Sequence, residues 1–233
     1  MCIRDSNNLT IQLNDLQDQL YLIRSQSAED GVYLFNYVEI LEDLKNHIAV
    51  NEKILIISIL AGIKIKKIEN IIGSVPIIRA MPNIAASVAE GMTALTGNKK
   101  ITNDKIDTAN MIFQSIGNKI WLEDEGQMDS FTAISGSGPA YFFYFTECLH
   151  KIAIDEGFSE DVAKQISEQI MIGSGKLIKD SNIDVVQLRE NVTSPNGTTE
   201  AALKVLCDDD GLLSKLREAI EKAKKRSIEI SNN

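Results

Sequence analysis

The segment NVTSPNGTTEAAL, residues 191–203, sets Thr193, Ser194, Asn196, Thr198 and Thr199 around one proline and one glycine. A helix cap needs a single hydroxyl, so five polar side chains between 193 and 199 exceed that need. Asn196 and Gly197 are suited to turn or left-handed conformations. The following residues read as a helix, with Thr198 as its natural N-cap and Thr199 in its first turn. Unpaired backbone N–H groups gather at such a start. Together with the hydroxyls they could converge on a small carboxylate; the alternative is a capped turn. Glu200 suits a helix start electrostatically, yet would repel an anion if it faced one.

Two other stretches carry polar or glycine-rich chemistry. AMPN, Ala80 to Asn83, follows the strand-like VPIIR. In open parallel sheets ligands lie beyond the carboxyl ends of the strands. Met81, Pro82 and Asn83 would occupy such an end, where Asn83 can both donate and accept; the alternative is a plain strand-to-loop turn. ISGSGPAYFF, residues 134–143, offers Gly136 and Gly138 for close backbone approach. Pro139 fits the first turn of a helix, whose free N–H groups can hold an anion or a polarised amide. The alternative is a helix start that needs glycine for packing. No Ser-His-Asp set is evident, His47 and His150 are isolated, and no pair of acids stands in a glycosidase-like motif. Hydride transfer asks little of side chains, because the cofactor carries the chemistry and the protein aligns the reacting carbons.

The elements that must position these stretches change in character along the chain. LTIQLNDL alternates as a strand does, and QSAEDG reads as a turn. Residues 36–50 place Val38, Leu41, Leu44 and Ile48 on one helical face. ILIISILAG, residues 54–62, is a continuous apolar run that fits a strand buried on both faces of a parallel sheet. A short helix or turn follows over 65–72, then strands over 75–80 and 91–97. Residues 102–116 read as a helix bearing Ile106, Ala109, Ile112, Phe113 and Ile116 on one side, before a last strand over 119–124. Strands alternating with helices imply an α/β layer. Beyond 124 only helical patterns remain. PAYFFYFTECLHKIAIDEG is apolar on nearly every face, as in a buried bundle helix or a subunit interface. Ser159 is positioned to cap the next helix, whose stripe is Val162, Ile166, Gln169 or Ile170, and Gly173. Shorter helices follow over 183–190 and 198–206. The last spans 212–230 on the stripe Leu213, Leu216, Ile220 and Ala223, and its tail SIEISNN reads as a fraying end.

Composition narrows the function class. The chain has 233 residues, 44% of them hydrophobic, and a formal net charge of −9. That balance excludes the basic stripe of a duplex nucleic-acid binder but leaves room for a small anionic ligand. Cys2, Cys148 and Cys207 form no CxxC pair, which argues against a disulfide framework or thiolate zinc site. No apolar run is long enough to span a bilayer, and no signal-peptide pattern opens the sequence. These features predict a cytoplasmic globular protein with neither a nucleic-acid nor a membrane partner, and no metal.

IRAMPN (78–83), GMTAL (91–95), WLEDEGQMDSFTAISGSGPAYFF (121–143) and LRENVTSPNGTTEAAL (188–203), in that order and spacing, resemble the pyrroline-5-carboxylate reductase family over residues 37–216. The resemblance implies an α/β fold: an incomplete Rossmann-like dinucleotide-binding domain over 1–124, then an all-helical dimerisation and substrate-binding domain over 125–233. It implies a homodimer, or a decamer built from dimers. It also implies reduction of 1-pyrroline-5-carboxylate to L-proline, the last step of proline biosynthesis, with NADP or NAD as the coenzyme. By the same resemblance Thr193, Ser194, Gly197, Thr198 and Thr199 hold the substrate, with the Thr199 hydroxyl nearest the imine nitrogen as the catalytic group. Met81, Pro82, Asn83, Gly138 and Pro139 line the nicotinamide region.

The chain departs from that pattern in places. The family's GxGxMG loop and AVKP-like segment have no counterpart, and the comparable region reads YLIRSQSAEDGVYLF. The chain therefore reads as a truncated or altered member. Ile84 stands where threonine is common after MPN, and Asn196 where glycine is common in SPGG. Two rival readings follow: a related imine or hydroxyacid reductase, whose usual lysine has no counterpart here, and a helical assembly module without turnover. Without the N–H cradle of a glycine-rich loop, this chain is expected to bind NADPH weakly. Fluorescence titration checks this, and tight saturable quenching would contradict it.

Overall fold

The computed structural model describes residues 11–13, 20–23, 37–47, 51 and 53–232. The isoleucine-rich run forms strand β3 (Leu55–Ser58), buried at every residue. It lies parallel to both neighbours, β2 (Leu20–Ile23) and β4 (Ile77–Met81). Burial on both faces requires apolar residues at successive positions. Ile56 and Ile77 join a cluster with Ile65, Ile68 and Ile72 of α2 (Ile65–Ile72) and Leu41 of α1 (Tyr37–His47). Leu55, Ile57, Ile78 and Ala80 pack on the other face with Leu95 of β5 (Gly91–Gly97) and with Ala109 and Phe113 of α3 (Asn103–Gln114). Ile112 and Ile116 extend that second cluster, so the helical face read over 102–116 is the one that packs. LTIQLNDL contributes β1 (Ile11–Leu13). The QSAEDG turn and Ile48 lie outside the described residues.

The sheet is mixed where a parallel one was expected. Its strands run in chain order from β1 to β6 (Gly117–Trp121). β1 is antiparallel to β2, β5 is antiparallel to β4, and β6 is parallel to β5. The reversal after β4 has a steric cause: a parallel return needs about a dozen residues or more. The connection 82–90 is shorter and holds only a 3₁₀ turn, Ile84–Val88. At the start of β6, Gly117 has φ +136° and faces Gly91 across the strands so closely that a Cβ would collide with the Gly91 backbone.

After β6 the described chain is helical. α4 (Met128–Phe131) runs into a π turn (Thr132–Gly136) and then α5 (Gly138–Asp155). α6 (Glu160–Asp180), α7 (Val185–Asn191), α8 (Thr198–Leu206) and α9 (Leu212–Asn232) follow. Strands end near residue 125, but packing divides the chain elsewhere. One compact unit runs through Gly136 and regains the chain at Ala223; the other is Ser137–Lys222. Residues 125–136 stay with the sheet because Met128 is fully buried and the Glu125 carboxylate accepts the Ile65 N–H at 2.9 Å.

Two helical readings change, and the Ser159 cap holds in position. The C-terminal tail does not fray: Asp129 Oδ1 accepts the hydroxyls of Ser227 at 2.6 Å and Ser231 at 3.2 Å, and Ser231 is buried. Ile230 fills the space that a Cβ on Gly62 would take. In α6 the buried residues are Ala163 and Ser167, while Val162 and Ile170 of the expected stripe are exposed. Ser159 holds the N-cap position of α6 without a side-chain hydrogen bond. Asp129→Ala should cost about 1.5–3 kcal/mol, the range for a hydrogen bond to a charged group. Urea unfolding measures this, and amide exchange should rise over 225–232.

Candidate functional site

The NVTSPNGTTEAAL bend lies wholly within the second compact unit. Asn196 takes φ +59°, the left-handed conformation its side chain tolerates. Gly197, not Thr198, is the N-cap of α8, with φ −85° and ψ 169° and no side-chain cap bond. Position 197 itself demands glycine, because a Cβ there would collide with the Ser194 hydroxyl and carbonyl oxygens. Thr198 and Thr199 thus become the first two helical residues. Glu200 turns back along the loop, where Oε2 accepts the Asn196 N–H at 2.6 Å. Oε1 lies 3.5 Å from Lys204 Nζ. The carboxylate that threatened an anion site is committed to the loop's own backbone.

The hydroxyls of the bend fall into two groups. Thr193 Oγ1 donates to the Arg189 carbonyl at 2.7 Å, so Thr193 closes α7. Ser194, Thr198 and Thr199 have no side-chain hydrogen bond among the described residues, with Ser194 and Thr198 exposed and Thr199 half-buried. The early N–H groups of α8 lack intrahelical acceptors. Free hydroxyls beside free N–H groups make a donor-rich surface suited to a carboxylate.

The other two stretches meet in the first unit. Asn83 Nδ2 donates to the Ser135 carbonyl at 3.2 Å and approaches Ser135 Oγ at 3.4 Å. A Cβ on Gly136 would stand 3.2 Å from Met81 Cε. Thus MPN and the first part of ISGSGP touch, and Met81, Pro82 and Asn83 are all half-buried. Gly138 and Pro139 open α5 in the second unit.

The comparisons with known proteins bear on the family of the chain. Residues 125–230 match the family model for pyrroline-5-carboxylate reductase dimerisation. The chain is 35% identical over 178 residues to the pyrroline-5-carboxylate reductase of Pseudomonas aeruginosa, which covers 76% of this chain and 65% of that protein's length. The solved pyrroline-5-carboxylate reductase of Coxiella burnetii is 36% identical, with a TM-score of 0.78 over 83% of this chain and 72% of that one. The chain belongs to the pyrroline-5-carboxylate reductase family. A pyrroline carboxylate reductase of Plasmodium falciparum, solved with NADP bound, is 32% identical with a TM-score of 0.72, again over 83% and 72% of the two chains.

Several residues of this family member were not singled out by sequence reasoning. Arg79 of β4 is 3% exposed, and its Nη1 donates to Glu125 Oε1 at 2.9 Å, the same oxygen that caps Ile65. An arginine inside an apolar strand run was the available signal. Ser135 sat inside a quoted motif, but only the fold could pair it with Asn83. At Asn196, glycine should be neutral or mildly stabilising, while valine should cost about 1–2 kcal/mol for its left-handed backbone. Thermal unfolding of the two variants provides the comparison.

Proposed function

We propose that this chain is built to reduce the C=N bond of 1-pyrroline-5-carboxylate to L-proline with NADPH or NADH. Family membership supports the reaction class. The observation that carries the site is the set of unbonded hydroxyls on Ser194, Thr198 and Thr199 beside the open N–H groups of α8. Ser194, Gly197 and Thr198 would bind the substrate carboxylate through hydroxyl and backbone donors, with Thr193 fixing the loop from α7. The Thr199 hydroxyl would hold the ring nitrogen and its proton. The protonated imine is an iminium, so its carbon takes a hydride while the C=N π pair stays on nitrogen as the amine lone pair.

The residues present fit the dinucleotide unevenly. Met81 and Pro82, with Asn83 behind them, adjoin the 132–136 turn and are proposed to face the nicotinamide; Gly138 and Pro139 are proposed for that role by the family resemblance alone. When bound, the reduced nicotinamide supplies the hydride. For the pyrophosphate, the described residues offer no glycine-rich strand-to-helix turn. Gly62, after β3, has its open side filled by Ile230. The α/β layer is thus proposed as part of a Rossmann-like domain. The family-model match beginning at residue 125 favours 1–124 and 125–233 as the domains by descent, although packing divides the chain after 136.

A second copy of the chain is the proposed cover for the helical unit. In the isolated chain Phe142, Phe143 and Tyr144 of α5, Leu177 of α6 and Val205 of α8 are exposed, Val205 at 72%. Apolar surface on that scale marks an association face. No described helix is long and apolar enough to cross a membrane, and the proposed setting is the cytoplasm. Size-exclusion chromatography alongside proline-dependent reduction of NAD⁺ or NADP⁺ tests the whole reading. A dimer with turnover supports it; a dimer without turnover supports an assembly module. Thr199→Ala should keep the fold and lower kcat/KM by about 10²-fold, as for a positioned proton-transfer group. Unchanged kinetics would remove Thr199 from that role.

A further inference from the structure

One side chain, Asn83, ties three backbone segments of the sheet unit together. It leaves the end of β4, its Oδ1 accepts the Met92 N–H of β5 at 3.3 Å, and its Nδ2 faces Ser135. Ser135 lies in the π turn, next to the break at Ser137 before α5. Carbonyls at such a break lose their helical donors, and the Asn83 amide supplies one to Ser135. Thr132 Oγ1 secures the other end of the turn by donating to the Met128 carbonyl at 2.8 Å. Gly136 leaves just enough room for Met81 Cε.

We infer that Asn83 is a positioning residue of the reductase site. Its amide locks the 132–136 turn against the end of β4, and it acts through Ser135 instead of by bonding the coenzyme. The inference rests on the reductase reading above only for what the turn is used for. The chemistry needs an amide: the donor serves Ser135 and the acceptor serves Met92 at the same reach. Aspartate keeps the acceptor but sets a carboxylate oxygen against the Ser135 carbonyl. Alanine loses both bonds. Ile84 and Ile134, the sequence neighbours of the two clamped residues, are exposed.

Hydrogen exchange on the full chain tests the clamp without requiring turnover. In Asn83→Asp, exchange over 132–140 should rise about tenfold, the scale of one lost hydrogen bond. Residues 91–95 should stay protected in that variant and loosen in Asn83→Ala. Unchanged exchange over 55–58 and 77–80 shows that either variant is folded. Equal exchange over 132–140 in both variants and the wild type would overturn the proposal. In the proline-dependent assay, Asn83→Asp should lower kcat about tenfold or more, because misplacement costs alignment. The nucleotide KM should stay within about twofold, since remote binding is untouched. A raised KM with unchanged kcat would instead mean direct contact with the coenzyme, and would also overturn the proposal. A wild-type chain without turnover would count against the reductase reading alone, and exchange would then decide the clamp.

Discussion

The apolar surface of α5, α6 and α8 exceeds what the helical unit covers, and much of this chain's architecture answers to that constraint. Small residues, Ala153, Ala163 and Ser167, make the buried contacts of the unit, so α5 and α6 approach closely but enclose little. The large side chains point outward: Phe143 is 66% exposed and Leu213 of α9 equally so. Covering that surface would gain about 25 cal/mol per Å², the contribution that the proposed second copy would supply.

The sheet unit meets its own constraint internally. Alternating isoleucines of β3 and β4 feed two clusters, one under α1 and α2 and one under α3. The buried arginine of that interior is paired, whereas the Thr93 hydroxyl of β5 is buried without a partner among the described residues. Arg79 reaches Glu125, and the same carboxylate caps the first N–H of α2, so one ion pair fastens the post-sheet segment to the layer below. Breaking such a pair would leave the Arg79 charge buried without its partner. Asp129 does comparable work four residues later by accepting two serines from α9. The MPN corner and the 132–136 turn are placed by these fastenings together with Asn83.

Local rules were legible wherever the residue pattern alone settles the outcome. The all-apolar run at 54–62 announced a strand buried on both faces, and 198–206 announced a helix with its true limits. Competition between neighbours was less legible. Thr198 is the better cap by type, yet the helix starts one residue earlier and Gly197 holds the cap, at a position where Ser194 leaves no room for a Cβ. Glu200 could have faced a ligand; the N–H of Asn196 drew it away. β2 was not read because four residues, LYLI, carry too short a pattern to separate from their surroundings. The tail of α9 was read as fraying because its two serines, polar by type, gain their value only from an aspartate about a hundred positions earlier in the chain.

By itself the sequence determined the α/β-then-helical order, the family, and the three polar or glycine-rich stretches, because these depend on residue type and spacing along one segment. The tertiary structure decided the pairing of Arg79 with Glu125, the seating of the C-terminal helix on Asp129 and the joining of Asn83 to Ser135. Each of those is a contact between residues far apart in the chain, and its strength depends on which groups folding brings within hydrogen-bond reach.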